Sequence, residues 1–301
     1  MDQALPGWDL YRSFLAVLRE GSLSAAARRL GLTQPTLGRH VAALEQLLGA
    51  ALFIRSRSGL SPTEAALDLQ PYAEALEATA AAALRSASGR GRSIRGSVRV
   101  SASEIVAIEV LPPILAGLQA AHPDLVIELV PSNRVENLLL READIAVRMV
   151  APAQEALVAK RIGAIELGFH AHRDYLARRG TPRSLTAMEA HSLVGYDRET
   201  AFIRRARELL PLPERIAFAF RSDSDVAQLA AIRAGIGIGV CQVPLARRDP
   251  ALVRLLPKAF SFPLETWLAM HENLRDTPRC RVVFDALAKG LAGYIAGAKT
   301  G

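Results

Sequence analysis

The chain has 301 residues, half of them hydrophobic, and a formal net charge of +7. Its length allows two or three domains, each with its own core, and its apolar content excludes wholesale disorder. The basic balance favours an anionic partner, nucleic acid or membrane surface, while only Cys241 and Cys280 are present, too few for a disulfide framework or a cysteine-rich metal site. Arginine outnumbers lysine 33 to 4, a bias that genome composition explains as readily as phosphate binding. The opening residues, MDQALPGWDL, hold neither a basic n-region nor an apolar h-region, and no stretch of about 18 uninterrupted apolar residues occurs. A cytoplasmic protein without membrane contact is expected.

Trp8, Tyr11, Phe14, Leu15 and Leu18 fall on one side of a first helix that Gly21 ends, and their rings read as core. The stretch Ser22 to Phe53, SLSAAARRLGLTQPTLGRHVAALEQLLGAALF, then reads as two short helices joined by a tight turn. Leu23, Ala26, Ala27 and Leu30 give the first of the two an apolar side that Gly31 closes. Thr33 caps the second, and Pro35 sits in its first turn, where a missing N–H is no loss. Leu37, Val41, Leu44 and Leu48 form its core stripe. The other side carries Pro35, Thr36, Arg39, Ala43 and Gln46. Small and hydrogen-bonding residues near a helix N-terminus, with one arginine able to fork onto guanine or phosphate, suit a major-groove reader.

LFIRSRSGL, Leu52 to Leu60, reads as a β-wing whose Arg55 and Arg57 lie beside phosphates or the minor groove; a solvated basic loop is the alternative. Ser61, Pro62, Thr63 and Glu64 form a capping box with proline at the first helical position. The helix that follows runs to about Ser88, and its 26 residues from Thr63 span roughly 39 Å. It is alanine-rich, and Pro71 should bend it locally. Leu69, Tyr72, Ala73, Leu76, Ala80, Ala83 and Leu84 make a stripe suited to an antiparallel partner from a second subunit.

After a basic hinge, Gly89 to Arg95, short apolar strands alternate with helices, an α/β signature. Strands are expected at Val98–Ser101, Val126–Val130 and Ile145–Val147, with a helix from Pro112 to Ala121. A second block offers strands at Gly168–Ala171, Leu193–Tyr196, Ile216–Phe220 and Ile236–Val240, and a helix at Asp225–Ala234. Thr266–His271 and a helix from Pro278 to Ile295 close the chain. The glycines of GIGIGV, Gly235 to Val240, alternate inside a strand after a helix, which is not the strand-to-helix placement of a dinucleotide fingerprint. No Ser/His/Asp arrangement, HExxH, CxxC or catalytic carboxylate pair assembles, and His122, His172, His191 and His271 are scattered singly. An enzyme is not expected, nor is a metal or cofactor.

Ala26, Ala27, Leu30, Gln34, Pro35, Leu44, Glu45, Leu48, Gly49, Leu52, Phe53 and Arg55 together resemble the N-terminal signature of the LysR-type transcriptional regulators. One departure is Gly38, where that family usually has serine, which removes a hydroxyl contact to DNA and loosens the helix. The resemblance implies a multidomain chain: an all-α winged helix-turn-helix head over residues 1–62, a linker and dimerisation helix over 63–89, and a two-lobed α/β effector-binding domain over 90–301. That domain would be periplasmic-binding-protein-like, with lobe I at about 95–166 and 266–297 and lobe II at about 167–265. DNA contacts then fall to Thr33, Gln34, Pro35, Thr36, Arg39, His40, Arg55 and Arg57, and dimerisation to Leu69, Tyr72, Leu76, Ala80 and Leu84.

Ligands of such hinged folds sit at strand C-terminal ends and helix N-termini. Ser101, Ala102 and Ser103 could hold a carboxylate there; Ser132, Asn133, Arg148, Ser222 and Asp223 face the same cleft by analogy, with His170 as a polar wall. The implied function is sequence-specific binding of double-stranded DNA at an inverted repeat by a homodimer or homotetramer, modulated by a small anionic effector, with room for contact to RNA polymerase. Two alternatives stand beside it: a redox-responsive regulator using Cys241 and Cys280, and a solute-binding protein without a regulatory role.

Overall fold

The computed structural model describes residues 6–56, 59–88, 94–133, 143–152, 157–199, 204 and 217–297. The chain divides into two compact units, one ending at Ala87 and one beginning at Ser88.

The first unit opens with three helices, α1 (Trp8–Glu20), α2 (Leu23–Leu30) and α3 (Gln34–Leu48). Ser22 Oγ accepts from Ala25 N at 3.1 Å to start α2, and Gly31, at φ 67°, makes the left-handed turn that stops it. A β-carbon is strained at such a φ, so the turn into α3 depends on glycine there. α1 lies at the centre of the packing. Its Phe14 and Leu15 meet Leu44, Leu52, Ala66 and Ala73, while its Ala16 and Val17 meet Ala26, Ala27, Leu37 and Val41. Leu48, expected in that core, is 42% exposed. Gly49 ends α3 in the left-handed conformation at φ 67°, and the chain returns Leu52 to the core instead. Glu45 secures this return, its Oε1 accepting from Leu52 N at 2.7 Å and Phe53 N at 3.3 Å.

The hairpin of β1 (Phe53–Ser56) and β2 (Gly59–Pro62) follows, antiparallel with Arg55 opposite Leu60. Ser61 and Pro62 are strand residues here, not the cap of the next helix. Thr63 takes that role: its Oγ1 accepts from Ala66 N at 3.2 Å at the start of α4 (Glu64–Ser88). The hairpin register claims Ser61 before the helix can use it, which local pattern alone does not reveal. The first half of α4 packs on its own unit through Ala66, Leu69 and Ala73, and Arg19 of α1 forks onto Glu77 at 3.1 and 2.6 Å.

The second unit is built on a seven-stranded sheet among the described residues. β3 (Gly96–Ala102) lies parallel to both β4 (Leu125–Pro131) and β5 (Ile145–Arg148). β6 (Leu157–His172) and β11 (Phe262–His271) are long antiparallel partners, and β11 also pairs antiparallel with β5. The far end of β6 pairs with β9 (Gly239–Gln242) and β10 (Leu252–Leu255). The chain thus passes along β6 and returns along β11 between two sheet regions. Between Thr266 and Trp267 the register of that pair slips, opposite Gly163 and Arg161. A parallel pair, β7 (Ser192–Gly195) with β8 (Ala217–Arg221), joins the far region through a bridge from Leu193 to Ile238.

Among the described residues, five α-helices flank these strands. α5 (Leu111–Ala121) continues a π-turn at Val106–Val110, so helical backbone starts before the two prolines expected to open it. α6 (Arg173–Arg179), α7 (Asp225–Arg233) and α8 (Val243–Ala246) belong to the far region, and α9 (Pro278–Ala296) packs Val283, Leu287 and Leu291 into the main core. The GIGIGV run is mostly connection, with only Gly239 and Val240 in strand β9. A β-carbon on Gly237 would lie 2.3 Å from Ser192 O, and one on Gly239 2.6 Å from the Ile232 side chain. These glycines therefore serve close backbone packing. Ile216 lies outside the described residues.

Candidate nucleic-acid interface and ligand cleft

Burial of Leu37, Val41 and Leu44 fixes the rotation of α3 and leaves Thr33, Gln34, Pro35 and Arg39 exposed. Two hydrogen-bonded groups organise that edge. Ser24 Oγ, on α2, donates to Gln34 Oε1 at 3.0 Å. Thr33 Oγ1 lies 2.9 Å from Thr36 Oγ1, which accepts from Arg39 Nη2 at 3.4 Å. Thr33 also accepts from Thr36 N at 3.4 Å, as an N-cap. His40 departs from expectation: its Nδ1 is 2.8 Å from Ser13 Oγ and its Nε2 3.9 Å from Asp9 Oδ2, so the ring is held by α1 and is not on the reading edge. Arg55 is exposed on β1; Arg57 lies outside the described residues. On α4, Tyr72, Leu76 and Leu84 are 71%, 44% and 73% exposed, Ala80 is half-buried, and Leu69 is taken up by the core of its own unit.

In the second unit a recess of about 340 Å³ is lined by Glu104, Pro131, Ser132, Asn133, Asp223 and Ser224. Three of these, Ser132, Asn133 and Asp223, were expected from sequence; Glu104 and Ser224 were not. The strand ends β3 and β4 present Glu104 and Asn133, and the N-terminus of α7 presents Ser224 and Asp225. Ser224 Oγ caps α7 by accepting from Ala227 N at 3.2 Å and also donates to Glu104 Oε2 at 2.8 Å. Asn133 Oδ1 accepts from Glu104 N at 2.9 Å, and its Nδ2 donates to Asp225 Oδ2 at 3.3 Å. Tyr196 donates to Asp225 Oδ1 at 2.6 Å. Burial, with the Glu104 charge adding to it, holds the Asp225 carboxyl above its ordinary range, and burial beside Asp225 pushes the Tyr196 phenol up. Asp223 Oδ1 accepts from Asp197 N and Arg198 N at 3.2 and 2.9 Å, which orders the segment after β7.

The other expected cleft residues serve different ends. Ser101 and Ala102 are fully buried in β3, and Ser101 Oγ accepts from Arg148 Nη2 at 2.9 Å while Arg148 Nη1 reaches Val147 O at 3.0 Å. Ser103 Oγ is buried without a hydrogen-bond partner among the described residues. Ser222 is occupied by its own loop, accepting from Ser224 N and, at its carbonyl, from Gln228 Nε2. His170 is 2% exposed, with Nδ1 at 2.9 Å from Gly168 O and 3.3 Å from Cys241 Sγ, a core residue and not a cleft wall. Burial lowers its pKa to about 4. The redox alternative loses its chemistry for a similar reason. Cys241 and Cys280 are both buried, and burial pushes the Cys241 thiol up to about 12, away from the thiolate a sensor needs. Among the described residues, no group of three or more His, Cys, Asp or Glu is placed to hold a metal ion, and no helix is long and apolar enough to cross a membrane.

Comparison with known proteins places both units. Residues 8–67 match the bacterial regulatory helix-turn-helix family of LysR type, and residues 91–292 match the LysR substrate binding domain. A probable helix-turn-helix transcriptional regulator from Klebsiella pneumoniae, LtrA, is 25% identical over 292 residues, 94% of each chain. A regulator from Xanthomonas campestris pv. campestris is 31% identical over 182 residues, 59% of this chain and about half of that protein (52%). In fold, the chain is similar to full-length CbnR solved in complex with its target DNA, with a TM-score of 0.65 and 20% identity over 94% of this chain and 99% of that one. The helix-turn-helix match sets aside a solute-binding protein without regulatory role, and the relatives are transcriptional regulators, not enzymes. The chain belongs to the LysR family of DNA-binding transcriptional regulators.

Proposed function

We propose that this regulator reads an inverted-repeat operator by placing the N-terminal edge of α3 in the major groove, with Gln34, Pro35, Thr36 and Arg39 near base edges or phosphates and Arg55 along the backbone. The observation that carries this reading is the hydrogen-bonded Thr33–Thr36–Arg39 edge, with Thr33 and Arg39 exposed and Thr36 half-buried, on a helix whose opposite face is buried. Arg57, outside the described residues, is assigned a backbone contact like that of Arg55. The solvent-facing Tyr72, Leu76 and Leu84 of α4 pair two subunits, as a homodimer or a homotetramer built from it. The two-fold axis spaces the half-sites by about one helical turn, ~34 to 36 Å, or a multiple. The regulator works in the cytoplasm, and its DNA-bound form is placed to contact RNA polymerase.

The recess between the strand ends and α7 takes a small-molecule effector, which competes for the Glu104–Ser224 and Asn133–Asp225 hydrogen bonds and so shifts the two sheet regions relative to each other. An anionic effector has little support here. Glu104 and Asp223 line the recess with negative charge, and Arg148 is engaged with Ser101 and Val147. Uncharged and amine-bearing molecules belong in the screen beside carboxylates.

A salt titration of DNA binding tests the reading. Arg39→Ala should weaken binding to the selected operator by about 1–3 kcal/mol and relax preference at one base pair. Unchanged affinity and preference would show that α3 does not read the groove.

A further inference from the structure

We infer that Ser24 is a positioning residue for base readout: it holds the Gln34 amide with its oxygen toward α2 and its Nε2 donors outward, so that the reading edge selects acceptor-bearing base edges, guanine or thymine, over adenine. The inference rests on the proposed docking of α3 in the major groove.

The geometry is specific. Ser24 lies on α2, ten positions before Gln34, and its Oγ donates to Gln34 Oε1 at 3.0 Å. An amide with its oxygen fixed in that direction has its nitrogen on the opposite side of the same plane. Glutamine reads adenine with both ends, accepting from N6 at Oε1 while donating to N7 from Nε2. Here one end is already engaged and turned away. The next residues along the edge repeat the pattern. Thr36 Oγ1, which could accept from a base amino group, accepts from Arg39 Nη2 at 3.4 Å and contacts Thr33 Oγ1 at 2.9 Å. The side-chain oxygens of Gln34 and Thr36 therefore each already accept a bond within the protein, while Gln34 Nε2 and the Arg39 nitrogens other than Nη2 remain as N–H donors for a base. Guanine offers two acceptors in the major groove, N7 and O6, and thymine offers O4, whereas adenine and cytosine also present amino donors that such an edge leaves unpaired.

Both side chains are exposed in the free protein, where water competes for the bond. Docking removes that water, and the same hydrogen bond then counts for more in the lower local dielectric. A hydroxyl that costs little to delete from the free protein thus acts at the moment of recognition.

The test uses the full chain and a library of random duplexes to select the half-site. Affinities are then measured for duplexes carrying each of the four base pairs at every half-site position, for the wild type, Ser24→Ala, Ser24→Thr, Gln34→Ala and the Ser24→Ala/Gln34→Ala double variant. At the position where Gln34→Ala flattens the preference, the wild type should favour guanine or thymine over adenine by on the order of 5-fold. Ser24→Ala should abolish that discrimination by admitting adenine, Ser24→Thr should restore it, and the salt slope should be the same in all. The double variant should match Gln34→Ala alone, because Ser24 acts through Gln34. Wild-type preference for adenine at that position overturns the inference. So does a uniform loss of affinity in Ser24→Ala with a shallower salt slope, which would make Ser24 a phosphate contact. If Gln34→Ala changes no position, the inference falls with the docking of α3 itself, an outcome that the other two do not produce.

Discussion

The two units bury polar groups very differently. Among the described residues of the first unit only Ser13 is a buried polar side chain, whereas the second buries Ser101, Asp144, Arg148, His170, His191, Gln228, Gln242, Thr266 and Arg279. An apolar core around α1 holds the N-terminal edge of α3 in one orientation. A core threaded with hydrogen-bonded polar side chains has alternatives: Glu104, Asn133, Ser224 and Asp225 are mutually satisfied, and a ligand can replace partners that already exist. Under the proposed function, the first unit serves as the rigid part and the second as the part that an effector shifts.

The largest expected effect breaks the rigid side of this comparison. Leu44 is fully buried between α1 and the start of α4. Leu44→Ala should destabilise the first unit by about 2–5 kcal/mol. Hydrogen exchange on the full chain should show lost protection through Leu48, with the β6–β11 ladder unchanged; equal loss in both units would mean that they unfold as one.

The next effect belongs to the second unit and depends on pH. His170 is neutral in the folded protein down to about pH 4, whereas the unfolded chain takes up the proton near the ordinary value of 6.5. As pH falls from 6.5 toward 4, the unfolded state binds more protons and stability is lost, by about 3 kcal/mol across that window. Above pH 6.5 the group contributes no slope. Comparing denaturation midpoints of the wild type and His170→Asn at several pH values isolates this contribution. The variant should lose less stability on acidification, and protection in α1 to α3 should be insensitive to the substitution. Parallel pH profiles would place His170 in contact with water.

Local chemistry made the first unit legible and hid much of the second. Gly21 and Gly31 end helices at positive φ and Thr33 caps α3, as their positions suggest, because these devices act within a few residues. SPTE offers two overlapping caps two residues apart, and hairpin partners seven and nine residues back, Ile54 for Ser61 and Phe53 for Pro62, decide between them in favour of Thr63. In the recess, Glu104 and Ser224 are 120 positions apart, and no local spacing announces that they meet. His170 did carry a signal: it sits in the run LGFHA, where continuous burial in β6 marks a strand covered on both faces, and a histidine there belongs to the core.

The smallest effect concerns Gly38, where the sequence departs from its family. Gly38 lies inside α3 without the positive φ that would demand glycine, and a β-carbon there would find only Leu23 Cδ1, at 3.9 Å, an ordinary contact. Nothing in the folded unit therefore opposes a side chain, while glycine leaves the unfolded chain more freedom to lose. Gly38→Ala should stabilise the first unit by about 0.5–1 kcal/mol, a rise of roughly 3–6 °C in its melting temperature. Acid sensitivity of the second unit should not change. Gly38→Ser should recover part of that stability and add a hydroxyl toward the DNA backbone, raising affinity for all duplexes alike without altering base preference. A fall in melting temperature for Gly38→Ala would mean that Leu23 cannot yield even to a methyl group, and that α2 and α3 are packed more tightly at the turn than the buried alanines of α2 alone require.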